Sequence, residues 1–222
     1  SNPLGCVMPN ENKQALMQLL QQYDIAMIED DIYGELQFEG HRPKAVKAFD
    51  EEGRVLWCSS VSKTMDPKLR VGWIAPGKYY AKILHQKYVN SISLPSLPQS
   101  VAAQVMAQGQ FDRHLRQARE TYRQRAQHLI DLAQMHFPSE MRASSPQGGL
   151  VVWFEMPKKI DGTQLYYQCR EREVRIAPGE LFSVTGLYQN CFRMSFAKPW
   201  TLESEQAVAM IGLQLKEMMI KN

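Results

Sequence analysis

Apolar positions along this chain recur on two periods, and the two alternate. Ala15, Leu16, Leu19 and Leu20 follow the three-and-four spacing of a helix face, and Asn10 ahead of them is a good N-cap. Ile25-Ala26-Met27-Ile28 then predicts a short buried strand, so a helix feeds a strand as in half of a βαβ unit. Residues 34–47, with Gly40 and Pro43, read as irregular; Val55-Leu56-Trp57-Cys58 and Val71-Gly72-Trp73-Ile74-Ala75 predict two further buried strands. Residues 79–89 predict a helix, 91–98 with two prolines a loop, and a helix resumes near Gln99. One long polar helix is expected over 111–136, bridging to a second domain.

From Gly148-Gly149 the texture changes. Leu150-Val151-Val152-Trp153-Phe154 predicts a strand, 163–172 a helix, and Val174-Arg175-Ile176-Ala177 a short strand ended by Pro178-Gly179. A strand over 191–197 and a helix from 202 to about 219 complete the pattern. The alternation predicts an α/β fold: a mostly parallel sheet flanked by helices in residues 1–110, and a small C-terminal α/β domain with its bridging helix in 111–222.

Composition changes this picture little. The 222 residues can bury a sizeable core, and 44% hydrophobic with 22% charged residues is ordinary for a globular protein. A formal charge of +3 is too small to imply nucleic acid or membrane, and the basic run over 113–125 reads as a solvated helix face. Cys6, Cys58, Cys169 and Cys191 are scattered, without C-x-x-C pairs or histidines at ligand spacing, so neither a zinc site nor a disulfide framework is expected and no metal is assigned. A reducing cytoplasm is the expected compartment. No apolar run approaches the roughly 18 residues of a membrane span.

The chemistry concentrates in Ser59-Ser60-Val61-Ser62-Lys63-Thr64-Met65-Asp66-Pro67-Lys68-Leu69-Arg70. One lysine stands among hydroxyls and an arginine follows seven residues later, in a connection beyond the carboxyl end of a strand, where open α/β sheets bind ligands. A lysine amine condenses with an aldehyde, while serine hydroxyls and a guanidinium fork satisfy a phosphate dianion. An aldehyde cofactor carrying a phosphate, pyridoxal 5′-phosphate, fits both halves. A solvated surface lysine and a surface arginine remain the plain alternatives.

This run, continued by Val71-Gly72-Trp73, resembles the cofactor-lysine signature of fold-type I, class I/II aminotransferases. Three more segments match that family in order: Asn2-Pro3-Leu4-Gly5 as the N-P-x-G turn, Asp30-Asp31-Ile32-Tyr33 as D-x-x-Y, and Cys191-Phe192-Arg193-Met194-Ser195-Phe196-Ala197 as the F-R-x-S-F segment. The resemblance implies the fold of type I pyridoxal-phosphate-dependent transferases, with a partial large domain and a small C-terminal one. It implies transamination, with Lys63 as anchor and general base and Asp30 paired with the pyridine nitrogen so that the ring stays an electron sink. Asp31 is the rival, but only Asp30 has the spacing to Tyr33; a turn-capping acid is the alternative role. Tyr33 and Asn2 would hydrogen-bond the cofactor phenolate, and Ser60, Ser62 and Arg70 would hold its phosphate. Arg193, flanked by Phe192 and Phe196, needs an anion; the family answer is a substrate α-carboxylate, the alternative an internal salt bridge. Arg175 is a weaker second candidate.

The Lys63 to Arg70 spacing with Asp66-Pro67 between, together with Asp112-Arg113-His114-Leu115-Arg116-Gln117-Ala118-Arg119-Glu120-Thr121-Tyr122, is similar to two subgroups: MocR-type members of the GntR regulator family and aminoadipate-type aminotransferases. The first would sense cofactor or an amine ligand and bind DNA through an upstream winged-helix domain. The second would transfer an amino group from an amino acid to a 2-oxo acid. The N-P-x-G turn is that of an ordinary enzyme, whereas many such regulators carry H-Q-x-P-x-G. The family also carries a long segment before this turn, supplying a Gly-rich phosphate cup and a stacking aromatic ring, so the chain reads as a C-terminal fragment expected to bind cofactor poorly alone. Both subgroups imply a homodimer.

Overall fold

The computed structural model describes residues 1–221. The chain folds as two compact units, one of Val7–Arg119 and one that joins Ser1–Cys6 to the chain from Glu120 onward.

In the unit Val7–Arg119, helix α1 (Asn10–Gln22) leads to strand β1 (Met27–Asp30), and strands β2 (Val55–Ser60) and β3 (Gly72–Ala75) complete a three-stranded sheet in the order β1-β2-β3. β1 runs parallel to β2, with Asp30 opposite Cys58, and β3 runs antiparallel, with Gly72 opposite Ser60. Met17 and Leu20 of α1 pack with Val46 and Val55, while Leu16, Met27 and Phe49 close the edge of that cluster. α1 starts at Asn10 with Pro9 ahead of it, so Asn10 is the first helical residue and not the cap; no side chain caps this end. β1 begins two residues later than its apolar run suggests, and it is not buried: Ile28 is 73% exposed. Trp73 and Ile74 on β3 are also exposed. β1 and β3 each have one partner strand in this sheet.

Helix α2 (Tyr80–Ser91) follows β3, and α3 (Ser96–Ala107) starts inside the stretch expected to be a loop. Pro98 lies in the first turn of α3, where a missing N–H breaks no intrahelical bond. Helix α4 (Gln110–His136) is continuous over 27 residues, and the boundary between the units falls within it.

In the second unit, β4 (Arg142–Ala143), β5 (Val151–Glu155), β6 (Ala177–Pro178) and β7 (Cys191–Ser195) form an antiparallel sheet in the order β4-β5-β7-β6, with helices α5 (Gly162–Arg170) and α6 (Leu202–Lys221). Asp161 caps α5 by accepting the backbone N–H groups of Thr163 and Gln164 at 2.7 and 2.9 Å. Phe154 and Phe192, paired across β5 and β7, stack with ring centroids 5.1 Å apart, and Phe137 meets Phe154 edge-on at 5.4 Å. The strand expected over 174–177 shrinks to β6; Arg175 lies outside it and is exposed.

Among the described residues no helix is long and apolar enough to cross a membrane, and no cluster of His, Cys, Asp and Glu is arranged to hold a metal ion. The four cysteines are free, and burial pushes the Cys169 and Cys191 thiols up to about 11.

Candidate functional site

Parallel strands that end together present their following turns on one edge, and β1 and β2 do this. Asp30 is the last residue of β1 and Ser60 the last of β2. The backbone continues the pairing for one step: Asp31 N–H donates to the Cys58 carbonyl at 2.9 Å, and the Ser59 hydroxyl donates to the Asp31 carbonyl at 3.3 Å. Six sequence-predicted residues, Asp30, Tyr33, Ser60, Ser62, Lys63 and Arg70, therefore belong to two turns that leave neighbouring strands of the same sheet.

The lysine turn is tight. Val61 is fully buried and its carbonyl accepts from the N–H groups of Thr64 and Met65 at 3.2 and 2.8 Å, while Val61 N–H donates to the Val71 carbonyl at 3.1 Å. Thr64 is buried, yet Lys63 beside it is exposed, so the turn projects the amine outward from an anchored backbone. Ser60 Oγ accepts from Ser62 N–H at 3.3 Å, holding the two candidate phosphate ligands in one turn. The connection then makes a short 3-10 turn, Pro67–Leu69, capped by Asp66, which accepts Lys68 N–H at 2.7 Å. Arg70 ends it with φ 53°, a left-handed conformation that costs a side-chain-bearing residue free energy and is held where the surroundings demand it. Neither Lys63 nor Arg70 forms an ion pair among the described residues.

The two adjacent aspartates differ sharply. Asp31 Oδ2 accepts from Trp57 Nε1 at 2.8 Å and pairs with Arg42, which also donates through Nε to Glu35 at 2.5 Å. Burial works against the Arg42 charge, but the Asp31 and Glu35 carboxylates outweigh it and raise its pKa. Asp31 is thus consumed in bracing the loop. Asp30 is exposed; Oδ1 accepts Ile32 N–H at 3.2 Å, the turn-capping role, and Oδ2 stays open. One carboxylate can cap the turn and still accept from a protonated ring nitrogen.

Asn2 and Arg193 belong to the other unit, where they meet: Arg193 Nη1 donates to Asn2 Oδ1 at 2.7 Å. Arg193 stands on β7 between Trp153 of β5 and Ala177 of β6, and its guanidinium lies 5.0 Å from the centre of the Phe182 ring. It has no carboxylate partner among the described residues, so the internal salt bridge is absent there and its remaining N–H donors are available for an anion. With Oδ1 occupied, Asn2 keeps its NH₂ to donate. The turn that presents it is closed by Gly5, at φ +75°, whose carbonyl accepts Gln147 N–H at 2.9 Å; a Cβ there would stand 2.7 Å from Pro146 Cβ.

Three residues near these turns were not foreseen: Arg42, His114 and Arg119. The His114 ring Nε2 lies 2.8 Å from the Thr64 carbonyl, and Arg119 donates through Nε to the Glu35 carbonyl at 2.7 Å. The basic run over 113–125 is therefore only partly a solvated face. Its sequence gives no mark that separates His114 and Arg119, which bond to backbone carbonyls, from Arg123, which pairs with Glu120 at 2.8 Å on the surface.

A cavity of about 770 Å³ takes in Arg70 but neither Lys63 nor Asp30. Its walls include Trp73, Ile74, Tyr80, Leu84 and Leu94, and such an apolar hollow offers little to a phosphorylated pyridine beyond that arginine. The donor set on the two turns fits the cofactor better: an unpaired amine, an open carboxylate, two serine hydroxyls and an unpaired guanidinium match an aldehyde, a ring nitrogen and a phosphate.

Comparison with known proteins agrees. The description "aminotransferase class I and II" matches residues 1–211. The chain is 39% identical over 213 residues to the uncharacterized HTH-type transcriptional regulator YjiR of Escherichia coli (strain K12), covering 96% of this chain and 45% of that one. It is 31% identical over 222 residues to the 2-aminoadipate transaminase of Thermus thermophilus, covering 97% and 55%. Among solved structures, the α-aminoadipate aminotransferase LysN of Thermus thermophilus, complexed with N-(5′-phosphopyridoxyl)-L-leucine, superposes with a TM-score of 0.92 at 28% identity, over 100% of this chain and 58% of that one. The chain spans about half the length of the curated relatives it matches.

Proposed function

Because the chain belongs to the class I and II aminotransferases, a family whose cofactor is pyridoxal 5′-phosphate, we propose that it is the effector-sensing aminotransferase-like domain of a MocR/GntR-type transcriptional regulator, cytoplasmic and homodimeric, with DNA bound by another part of the protein. The observation that carries this reading is the similarity across 96% and 97% of the chain to two HTH-type regulators, YjiR and YdcR of Escherichia coli, at 39% and 33% identity.

When bound, the cofactor supplies an aldehyde for covalent capture of amines and an electron-poor ring beside the captured amine. The chain's own residues hold it there. Lys63 would offer the amine that holds the aldehyde, and its free amine would serve as a base for the proton on a substrate α-carbon. Asp30 keeps a proton on the ring nitrogen through its open Oδ2. Tyr33 would donate to the phenolate oxygen, the contact the family resemblance also implies for the Asn2 NH₂, and Ser60, Ser62 and Arg70 would bind the phosphate. Arg193 grips an α-carboxylate with the N–H groups that Asn2 leaves free.

The test uses the full-length protein and its own upstream DNA. Amino acids that displace Lys63 should change DNA affinity, and Lys63→Ala should remove that response while leaving basal DNA binding intact; a response unchanged in Lys63→Ala would overturn the sensing role. The Asn2–Arg193 hydrogen bond favours a second reading, a stand-alone aminotransferase that moves an amino group from an amino acid to a 2-oxo acid, because a prepared carboxylate clamp is what turnover needs. Steady-state transamination with a panel of amino acids and 2-oxoglutarate separates the two.

A further inference from the structure

Lys63 and Asp30 must act on opposite sides of one rigid aromatic ring, so the distance between their turns matters more than the position of either. The sheet fixes that distance only to the strand ends and one step beyond, where Asp31 N–H meets the Cys58 carbonyl. Beyond it, the chain from Val61 to Arg70 and the chain from Asp31 to Gly34 are separate turns. Helix α4 reaches both. His114 Nε2 lies 2.8 Å from the Thr64 carbonyl, immediately after Lys63, and since a carbonyl can only accept, the ring carries its proton on Nε2. Arg119 donates at 2.7 Å through Nε to the carbonyl of Glu35, two residues after Tyr33, and reaches the Glu35 carboxylate with Nη2 at 3.4 Å. The two side chains are five positions apart, about 7.5 Å along a helix axis. Thr64 is 4% exposed, so its carbonyl bond is made from a residue with little freedom to move.

We propose that His114 and Arg119 of α4 are positioning residues: through two backbone carbonyls they set the spacing between the lysine turn and the aspartate–tyrosine loop. The inference rests on the reading of Lys63 and Asp30 as cofactor ligands. It assigns both side chains a role in the tuning of the bound cofactor rather than in contact with it. Side chains that hold a turn to a helix act on geometry to a fraction of an ångström, about the tolerance that a preorganised site needs.

The experiment uses the full-length protein saturated with pyridoxal 5′-phosphate. In His114→Asn, whose amide is too short to reach the Thr64 carbonyl, the cofactor should still be trapped on Lys63 by borohydride. Its release rate should rise about three- to tenfold, the scale of one lost hydrogen bond, and the pH midpoint of its visible absorption band should shift. His114→Gln, with a donor at nearly the same reach, should restore both values. Arg119→Ala should shift the same midpoint. An unchanged midpoint and release rate in His114→Asn, or a His114→Gln protein that behaves like it, overturns the inference while wild-type labelling of Lys63 leaves the cofactor reading standing. Wild-type protein that carries no label on Lys63 overturns both.

Discussion

The two sheets of this molecule are built on opposite principles. In the antiparallel sheet, Val151, Val152, Trp153 and Phe154 are consecutive buried residues, and Phe154, Phe192 and Phe137 form an aromatic cluster beneath them. In the three-stranded sheet Ile28, Trp73 and Ile74 stay exposed, and order at the strand ends comes from charge-assisted hydrogen bonds: Asp31 with Trp57 and Arg42, Glu35 with Arg42 and Arg119. Apolar packing gives a unit its cohesion, whereas directional polar contacts fix where a loop points. In the unit that bears the lysine turn, polar contacts hold the loops at the strand ends.

The sharpest way to break the comparison is chemical. Lys63→Ala in the full-length protein should abolish the visible absorption of bound pyridoxal 5′-phosphate and all borohydride labelling, with little change in the melting temperature of the cofactor-free protein, because the side chain is exposed and unpaired. A label found on another lysine would remove the premise of the site. Next in size is Phe192→Ala, which should destabilise the antiparallel unit by about 3–5 kcal/mol through lost burial and a cavity beside Phe154 and Phe137. Thermal unfolding that shifts by less than about 1 kcal/mol would mean that this core relaxes around the gap.

The adjacent aspartates sharpen the comparison at single-residue scale. Asp31→Ala strips Trp57 Nε1 and Arg42 of a shared acceptor and should cost about 1–3 kcal/mol of stability. Asp30→Asn keeps the turn-capping oxygen and should stay within about 0.5 kcal/mol of wild type. The spectroscopic order reverses: Asp30→Asn should shift the visible band and weaken capture of amino acids more than Asp31→Ala does. A larger spectral effect in Asp31→Ala would mean that Asp31 and not Asp30 meets the ring.

Much of this was legible before the fold. The long helix showed at 111–136 against an observed Gln110–His136, because its apolar stripe is regular and nothing inside it breaks a helix. Spacing to Tyr33 favoured Asp30 over Asp31 as the ring partner, whereas the engagement of Asp31 by Arg42 and Trp57 was not legible, because it depends on residues 11 and 26 positions away. His114 and Arg119 stayed hidden for the same reason: they contact backbone 50 and 84 residues distant, and a carbonyl has no sequence signature. Burial of β1 and β3 was overstated because an apolar run reports what a strand can bury and not which neighbours it has.

A last prediction probes the polar wiring by pH. The Asp50 side chain is fully shielded; burial lifts its pKa, but the Lys47 ammonium and the backbone N–H groups of Val55 and Arg54, all at 2.8 or 2.9 Å, outweigh this and leave it below the usual carboxylate range. A carboxyl whose folded pKa lies below its unfolded value of about 3.9 binds protons more readily when unfolded, so its stabilisation is complete above that value and is lost as pH falls through the folded one. Denaturant midpoints should therefore be insensitive to Asp50 titration above about pH 5 and should decline below about pH 4. Asp50→Asn, which keeps one acceptor and loses the charge, should lower stability by about 1 kcal/mol at pH 7 and make the acid decline shallower. A decline of unchanged steepness would mean that other carboxylates, Asp24 with Arg54 first among them, set the acid limit of this unit.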